Sequence, residues 1–95
     1  MNMLTCIAKI TAQADHKSTV KQELQKLLAP TRKEVGCINY DMHIDNDKDN
    51  IFIFHENWLT EADLDNHLAS QHIKACFDVI GDLLESVEVN RLSRV

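Results

Sequence analysis

Three consecutive stretches decide the fold: Cys37-Ile38-Asn39-Tyr40-Asp41-Met42-His43-Ile44, the polar run Asp45-Asn46-Asp47-Lys48-Asp49-Asn50, and Ile51-Phe52-Ile53-Phe54-His55-Glu56-Asn57-Trp58. In the first, Ile38, Tyr40, Met42 and Ile44 share one face, while Cys37, Asn39, Asp41 and His43 take the other. That period of two is a strand. The polar run is a turn, and the third stretch resumes the strand pattern, so together they predict a hairpin. The second strand of the pair is apolar on both sides, Ile51 and Ile53 one way and Phe52 and Phe54 the other.

Working outward, Leu4, Cys6, Ala8 and Ile10 alternate with Thr5, Ile7, Lys9 and Thr11, which predicts a strand at the N-terminal side. Asp15 offers an N-cap to a helix in which Val20, Leu24, Leu27 and Leu28 recur at helical spacing. Pro30 falls late in that pattern as a candidate kink, and Gly36 ends it. On the C-terminal side, Thr60 with Asp63 resembles a capping box opening a short helix through Ala62, Leu64 and Leu68. Ser70 caps another helical stretch with a stripe of Ile73, Cys76, Phe77 and Ile80, weakened at Gly81. Val87 and Val89 then alternate with Glu88 and Asn90 in a last strand from about Ser86 to Arg94. The order is βαββαβ with a split second helix. This is the α+β, ferredoxin-like pattern: a four-stranded antiparallel sheet with helices on one face.

Ninety-five residues with two Gly and one Pro leave room for a single domain, 1–95, made mostly of regular elements. The chain carries 10 Lys and Arg against 15 Asp and Glu, a formal charge of -5. Nucleic acid and anionic membranes are therefore not expected as partners, because both require a basic surface. No stretch approaches the roughly 18 apolar residues of a membrane span. Met1 to Lys9 has no basic leading region and does not read as a signal peptide. Cys6, Cys37 and Cys76 are odd in number and dispersed, which fits free thiols in the cytoplasm better than disulfides.

Helices on one face leave the other face of the sheet to be covered. Ile7, Ile51, Ile53 and Leu92 point there, and packing against a second copy would bury them, so a two-fold homodimer is expected. Scattered surface apolar residues are the alternative.

His67 and His72 stand five apart across the break between the last two helices. A helical metal pair stacks two rings at a spacing of four, and no carboxylate in the local sequence completes this one, so no metal is expected. A histidine at a helix end also serves as a cap or a hydrogen-bonded core group. In a ligand pocket, its neutral imidazole can deprotonate a phenolic oxygen. Glu56 and Trp58 share a strand face just before the helix of His67, with Trp58 either at a pocket mouth or anchoring the core. Tyr40 points toward the helix-covered core, and Asn39 and His43 point away from it. The cysteines have no sequence signal of a nucleophile, and no phosphate loop, serine-nucleophile or haem-attachment motif is present.

Taken together, Glu56-Asn57-Trp58, the Thr60-Glu61-Ala62 cap, His67 and Ser70-Gln71-His72 resemble the signature of the antibiotic biosynthesis monooxygenase domain. Glu34-Val35-Gly36-Cys37-Ile38-Asn39-Tyr40 matches the E-x-G-C-x-x-Y pattern of that family. The resemblance spans Leu4 to about Leu92 and is strongest to the small quinol monooxygenases. It implies a dimeric α+β barrel and the oxygenation of quinol-like aromatics by dioxygen without flavin, haem or metal. In the haem-degrading branch a Trp opens a W-L-x-S motif and a His follows ten residues later; here those places hold His67-Leu68-Ala69-Ser70 and Phe77, so haem degradation is not expected. For such a reaction His67, then His72, is the candidate base or orienting group, and Trp58, Tyr40 and Glu56 are the candidate substrate contacts. An isomerase of a small signalling metabolite and a non-enzymatic dimer binding a small apolar ligand stay open beside it.

Overall fold

A computed structural model describes residues 3–95, so Met1 and Asn2, at the head of the stretch judged not to be a signal peptide, lie outside the described residues. Strands β1 (Leu4–Ala12), β2 (Cys37–Ile44), β3 (Ile51–Trp58) and β4 (Leu84–Leu92) form one antiparallel sheet in the order β2-β3-β1-β4. Helices α1 (Lys17–Gln25), α2 (Leu28–Arg32), α3 (Glu61–Leu68) and α4 (Gln71–Ile80) cover one face, giving the expected ferredoxin-like α+β architecture. No described helix is long and apolar enough to cross a membrane.

Register sorts the side chains between the two faces. Cys6, Ala8 and Ile10 of β1 lie opposite Glu56, Phe54 and Phe52 of β3, and Tyr40 and Met42 of β2 lie opposite Glu56 and Phe54. Residues directly opposite in a sheet project to the same side, so this whole set faces the helices. Val20 and Leu24 of α1, Leu64 of α3, and Cys76 and Ile80 of α4 close over it as one core.

Local details depart from the sequence pattern for identifiable reasons. Asp15 does not cap α1; it sits in a 3₁₀ turn (Ala14–His16), and His16 precedes the helix without a side-chain cap. The helix expected around Pro30 is two helices with a break at Lys26 and Leu27. Proline has no N–H and its ring collides with the carbonyl four residues back, here Lys26. Pro30 is tolerated in the first turn of α2, where its nitrogen lacks an intrahelical partner in any case. In β2 the pairing shifts between Cys37 and Asn39. That bulge places Cys37 opposite Trp58 and against the core and leaves Ile38 48% exposed, the reverse of their alternation in the sequence. The last strand starts at Leu84, two residues before Ser86.

The two caps of the C-terminal helices form as expected. The Thr60 hydroxyl accepts from the Asp63 N–H at 3.1 Å, and the Ser70 hydroxyl accepts from the Ile73 N–H at 3.4 Å. β4 is the exception to burial: Val87 and Val89, on the helix side, are each more than two-fifths exposed because the helix layer does not extend over this edge strand, and Leu92 is equally exposed on the open face.

Candidate active site

The described chain gathers its buried polar side chains at one end of the core. Glu56 arrives on β3, aimed at the helices by the register opposite Cys6 and Tyr40. Trp58 follows two residues later on the same face, and its indole Nε1–H donates to Glu56 Oε1 at 3.0 Å. His67 comes from the last turn of α3, and the Thr60 cap fixes where that helix begins. His72 comes from the first turn of α4.

Glu34 reaches the cluster from the turn between α2 and β2. Gly36 shapes that turn with a φ of 82°, a left-handed conformation that suits glycine. A Cβ on Gly36 would also collide with the side chain of Asp63, so the turn packs directly against α3. One carboxylate oxygen of Glu34 then meets both rings: His67 Nδ1 at 2.6 Å and His72 Nε2 at 3.0 Å. The other ring nitrogen of His67, Nε2, lies 4.0 Å from Glu56 Oε1. The imidazole stacks at 4.8 Å on Trp58 and meets Tyr40 edge-on at 5.2 Å.

Burial sets the electrostatics. His67 is held below the usual imidazole range, because burial disfavours the cation more than the Glu34 contact favours it. A neutral ring beside a carboxylate must carry its proton on the nitrogen that faces the carboxylate, since a carboxylate only accepts. Nδ1–H therefore donates to Glu34, and Nε2 presents a lone pair. Burial pushes the Glu56 carboxyl up to about 7, despite the opposing hydrogen bond from Trp58. Burial likewise raises the Tyr40 phenol, which stays protonated at neutral pH. The thiols of Cys6 and Cys76 rise to about 12 and about 11, again chiefly through burial, so neither is a nucleophile.

The structure thus brings all five sequence-selected residues, His67, His72, Glu56, Trp58 and Tyr40, into one cluster. Trp58 is wholly buried, which makes it the core anchor of its two readings rather than a pocket mouth. Glu34 is the residue that local reading passed over. The sequence argument against a metal held that no carboxylate completes the His67 and His72 pair; the fold supplies one from 33 residues upstream. Its trace in the sequence is its place as the Glu of the E-x-G-C-x-x-Y pattern, which gives it no partner. A groove of about 680 Å³ lies elsewhere, on the open face of the sheet, lined by Thr5, His55, Asn57 and Leu92 among others. It contains none of the five residues and no carboxylate, so the chemistry and this groove do not coincide.

A family model described as antibiotic biosynthesis monooxygenase matches residues 3–79. The chain belongs to this family. Among its relatives, the probable quinol monooxygenase YgiN of Escherichia coli is 30% identical over 94 residues, covering 87% of this chain and 90% of that one. The protein sll1783 of Synechocystis, whose function is uncharacterized, is 33% identical over 75 residues, 79% of this chain; the chain spans about half (51%) of that relative's length. The crystal structure of PA3566 from Pseudomonas aeruginosa superposes with a TM-score of 0.94 at 35% identity, covering 100% of this chain and 96% of that one.

Proposed function

We propose that the protein is a monooxygenase that oxidises a small quinol-like aromatic with dioxygen and needs no cofactor, with His67 as the general base. The observation that carries this reading is the 2.6 Å contact between Glu34 and His67 Nδ1, which leaves Nε2 free to accept a proton. In outline, His67 takes a phenolic proton and the electron-rich quinolate passes an electron to dioxygen. The resulting radical pair joins to form a carbon–oxygen bond. Loss of water then breaks the O–O bond, leaving one oxygen on the ring as a hydroxyquinone and releasing the other as water. The substrate supplies every electron, so the chain supplies a base, orientation and a dry enclosure. His72 would orient the substrate or assist proton transfer, with Tyr40, Trp58 and Glu56 forming the walls.

His67 is only 1% exposed, so this reading entails a parting of the ring from Trp58 and Tyr40 when substrate enters. The partly exposed edge formed by Glu34 and His72 is the side from which it would open. A second reading has its own support. Glu56, titrating about 7 and 4.0 Å from His67 Nε2, could complete a proton shuttle for an isomerase. Quinol-dependent oxygen uptake selects the first, and proton exchange at a substrate carbon without oxygen uptake selects the second.

The deciding experiment compares the wild type with His67→Ala. The variant should stay folded and lose about 10²–10⁴-fold in oxygen uptake, the usual effect of removing a general base. Wild-type activity should fall as the pH drops through the range in which His67 gains a proton. Equal rates and equal pH profiles would remove His67 from the mechanism.

The homodimer and the cytoplasmic setting belong to the same proposal. Exposed Leu92, with half-buried Ile7 and Ile53, supports a partner copy over the open face of the sheet. Three free thiols suit a reducing compartment. Sedimentation should give twice the 10.9 kDa of one chain, and a monomer at micromolar concentration would leave that surface without an account.

A further inference from the structure

Two imidazoles and a carboxylate converge at Glu34, His67 and His72, with one ligand atom of each within 4.8 Å of the others. Two nitrogens and one oxygen form the donor set of zinc and its first-row neighbours, whereas calcium and magnesium favour oxygen alone. We propose that these residues bind a divalent transition-metal ion, and that the ion moves the His67 proton from Nδ1 to Nε2.

The geometry requires the ligand atoms to spread. An ion about 2.0–2.2 Å from each of three tetrahedral ligands holds those ligand atoms about 3.4 Å apart. The Glu34 oxygen now stands 2.6 Å and 3.0 Å from the two nitrogens, so the first contact must lengthen by about 0.8 Å and the second by about 0.4 Å. His67 is packed in the core, whereas the side chains of His72 and Glu34 are 25% and 17% exposed and are freer to move. They also give an ion its way in. A fourth position would stay open to water.

The arrangement behind His67 fits the same role. Metal-bound histidines commonly donate their other ring N–H to a carboxylate, which orients the ring. Glu56 lies on that side, 4.0 Å from Nε2, and would have to close by about 1 Å to accept from it. Without metal, Nδ1 bears the proton that Glu34 accepts. Once Nδ1 ligates the ion, the neutral ring must carry its proton on Nε2, directed at Glu56. A ring in that form has no lone pair to offer a substrate. Resting on the base role proposed above, the ion would therefore switch catalysis off.

The test uses the full chain stripped of metal. Titration with Zn²⁺ should show one equivalent bound per chain, and Co²⁺ should give a visible absorption band. Long-range ¹H–¹⁵N spectra should show the His67 proton moving from Nδ1 to Nε2 on Zn²⁺ addition. Glu34→Gln and His72→Ala, both at the partly exposed edge, should weaken binding by more than about tenfold. His16→Ala and His43→Ala, away from the cluster, should leave it unchanged. Absent binding, or binding that survives both Glu34→Gln and His72→Ala, overturns the site; an unmoved proton overturns the switch. None of these measurements uses a substrate, so a protein that binds Zn²⁺ yet in its metal-free form takes up no oxygen with quinols would count against the monooxygenase reading alone.

Discussion

On the helix-covered face of the sheet, Glu56 and His67 are 3% and 1% exposed, and their polar atoms meet only Trp58, Glu34 and each other. On the open face a second polar row forms. The Thr5 hydroxyl donates to Asn57 at 2.6 Å, the Asn57 amide donates to Asn39 at 2.7 Å, and the Asn39 amide donates to Asp41 at 3.1 Å. The two groups share β3, through Glu56 and Trp58 on one side and Asn57 on the other, yet water can replace a lost partner only in the second. A buried group left unpaired bears its full desolvation cost, so the covered row should be sensitive to substitution and chemically shifted, and the open row tolerant. Glu56 and His67, both shifted chiefly by burial, do sit on the covered side.

The largest test of that contrast is Trp58→Ala. It removes a wholly buried indole and leaves Glu56 without its donor, and such truncations cost about 3–5 kcal/mol. Chemical denaturation should show a loss of that order with an unchanged denaturant slope. A loss below about 1 kcal/mol would mean that the covered face is as forgiving as the open one.

Glu34→Gln comes next and is read in activity. Gln keeps the shape but can donate to His67 Nδ1, favouring the tautomer with its proton on Nε2. Mis-setting the tautomer of a catalytic histidine is severe in enzymes that depend on it, so kcat should fall by about 10²-fold or more with KM little changed. A fall confined to KM would make Glu34 a substrate contact instead of a positioning residue.

How much of this was legible in the sequence divides along the same line. The period of two in Cys37–Ile44 and Ile51–Trp58, and the helical stripe of Ile73, Cys76, Phe77 and Ile80, carry the fold because alternation and helical spacing are local. The bulge that exchanges Cys37 and Ile38 is invisible to alternation, since one extra residue reverses every assignment before it. The helix break before Pro30 follows from a local collision, but its place depends on which carbonyl the ring meets. Of the site, Glu56, Trp58, His67 and His72 lie within 17 residues and read as one region. Glu34 does not, because only the pairing of β2 with β3 and the packing of the Gly36 turn on Asp63 bring it to His67.

Glu56→Gln separates the chemistry of the covered face from its packing. Below about 4.5 the carboxyl is protonated whether the chain is folded or not. Between there and about 7 the folded chain holds a proton that the unfolded chain has released, so this group's contribution to stability falls as pH rises and levels off above. His67 acts in the opposite sense: its pKa is lowered from 6.5, so its contribution is lost as pH falls below that value. The Glu56 effect is therefore clearest in the narrow range from about pH 6.5 to 7, with the plateau above it as the reference. Over that range wild-type Tm should decline, and Glu56→Gln, which can still accept from Trp58, should flatten the decline. An unaltered slope would assign the pH dependence to another group.

The smallest effect is expected on the open face, and there the number of copies matters. Thr5→Val removes the hydroxyl that donates to Asn57. Thr5 and Asn57 are both half-exposed in a single chain, so water should take over and the loss should stay below about 1 kcal/mol. If a second copy seals this face, the same Asn57 oxygen would lose its donor away from water, and the cost should rise to about 1–3 kcal/mol. The difference in Tm between wild type and Thr5→Val should then widen with protein concentration over the range in which sedimentation shows association. A difference that stays small and constant would mean that the polar row remains wet and that a partner, if one binds, covers β4 instead.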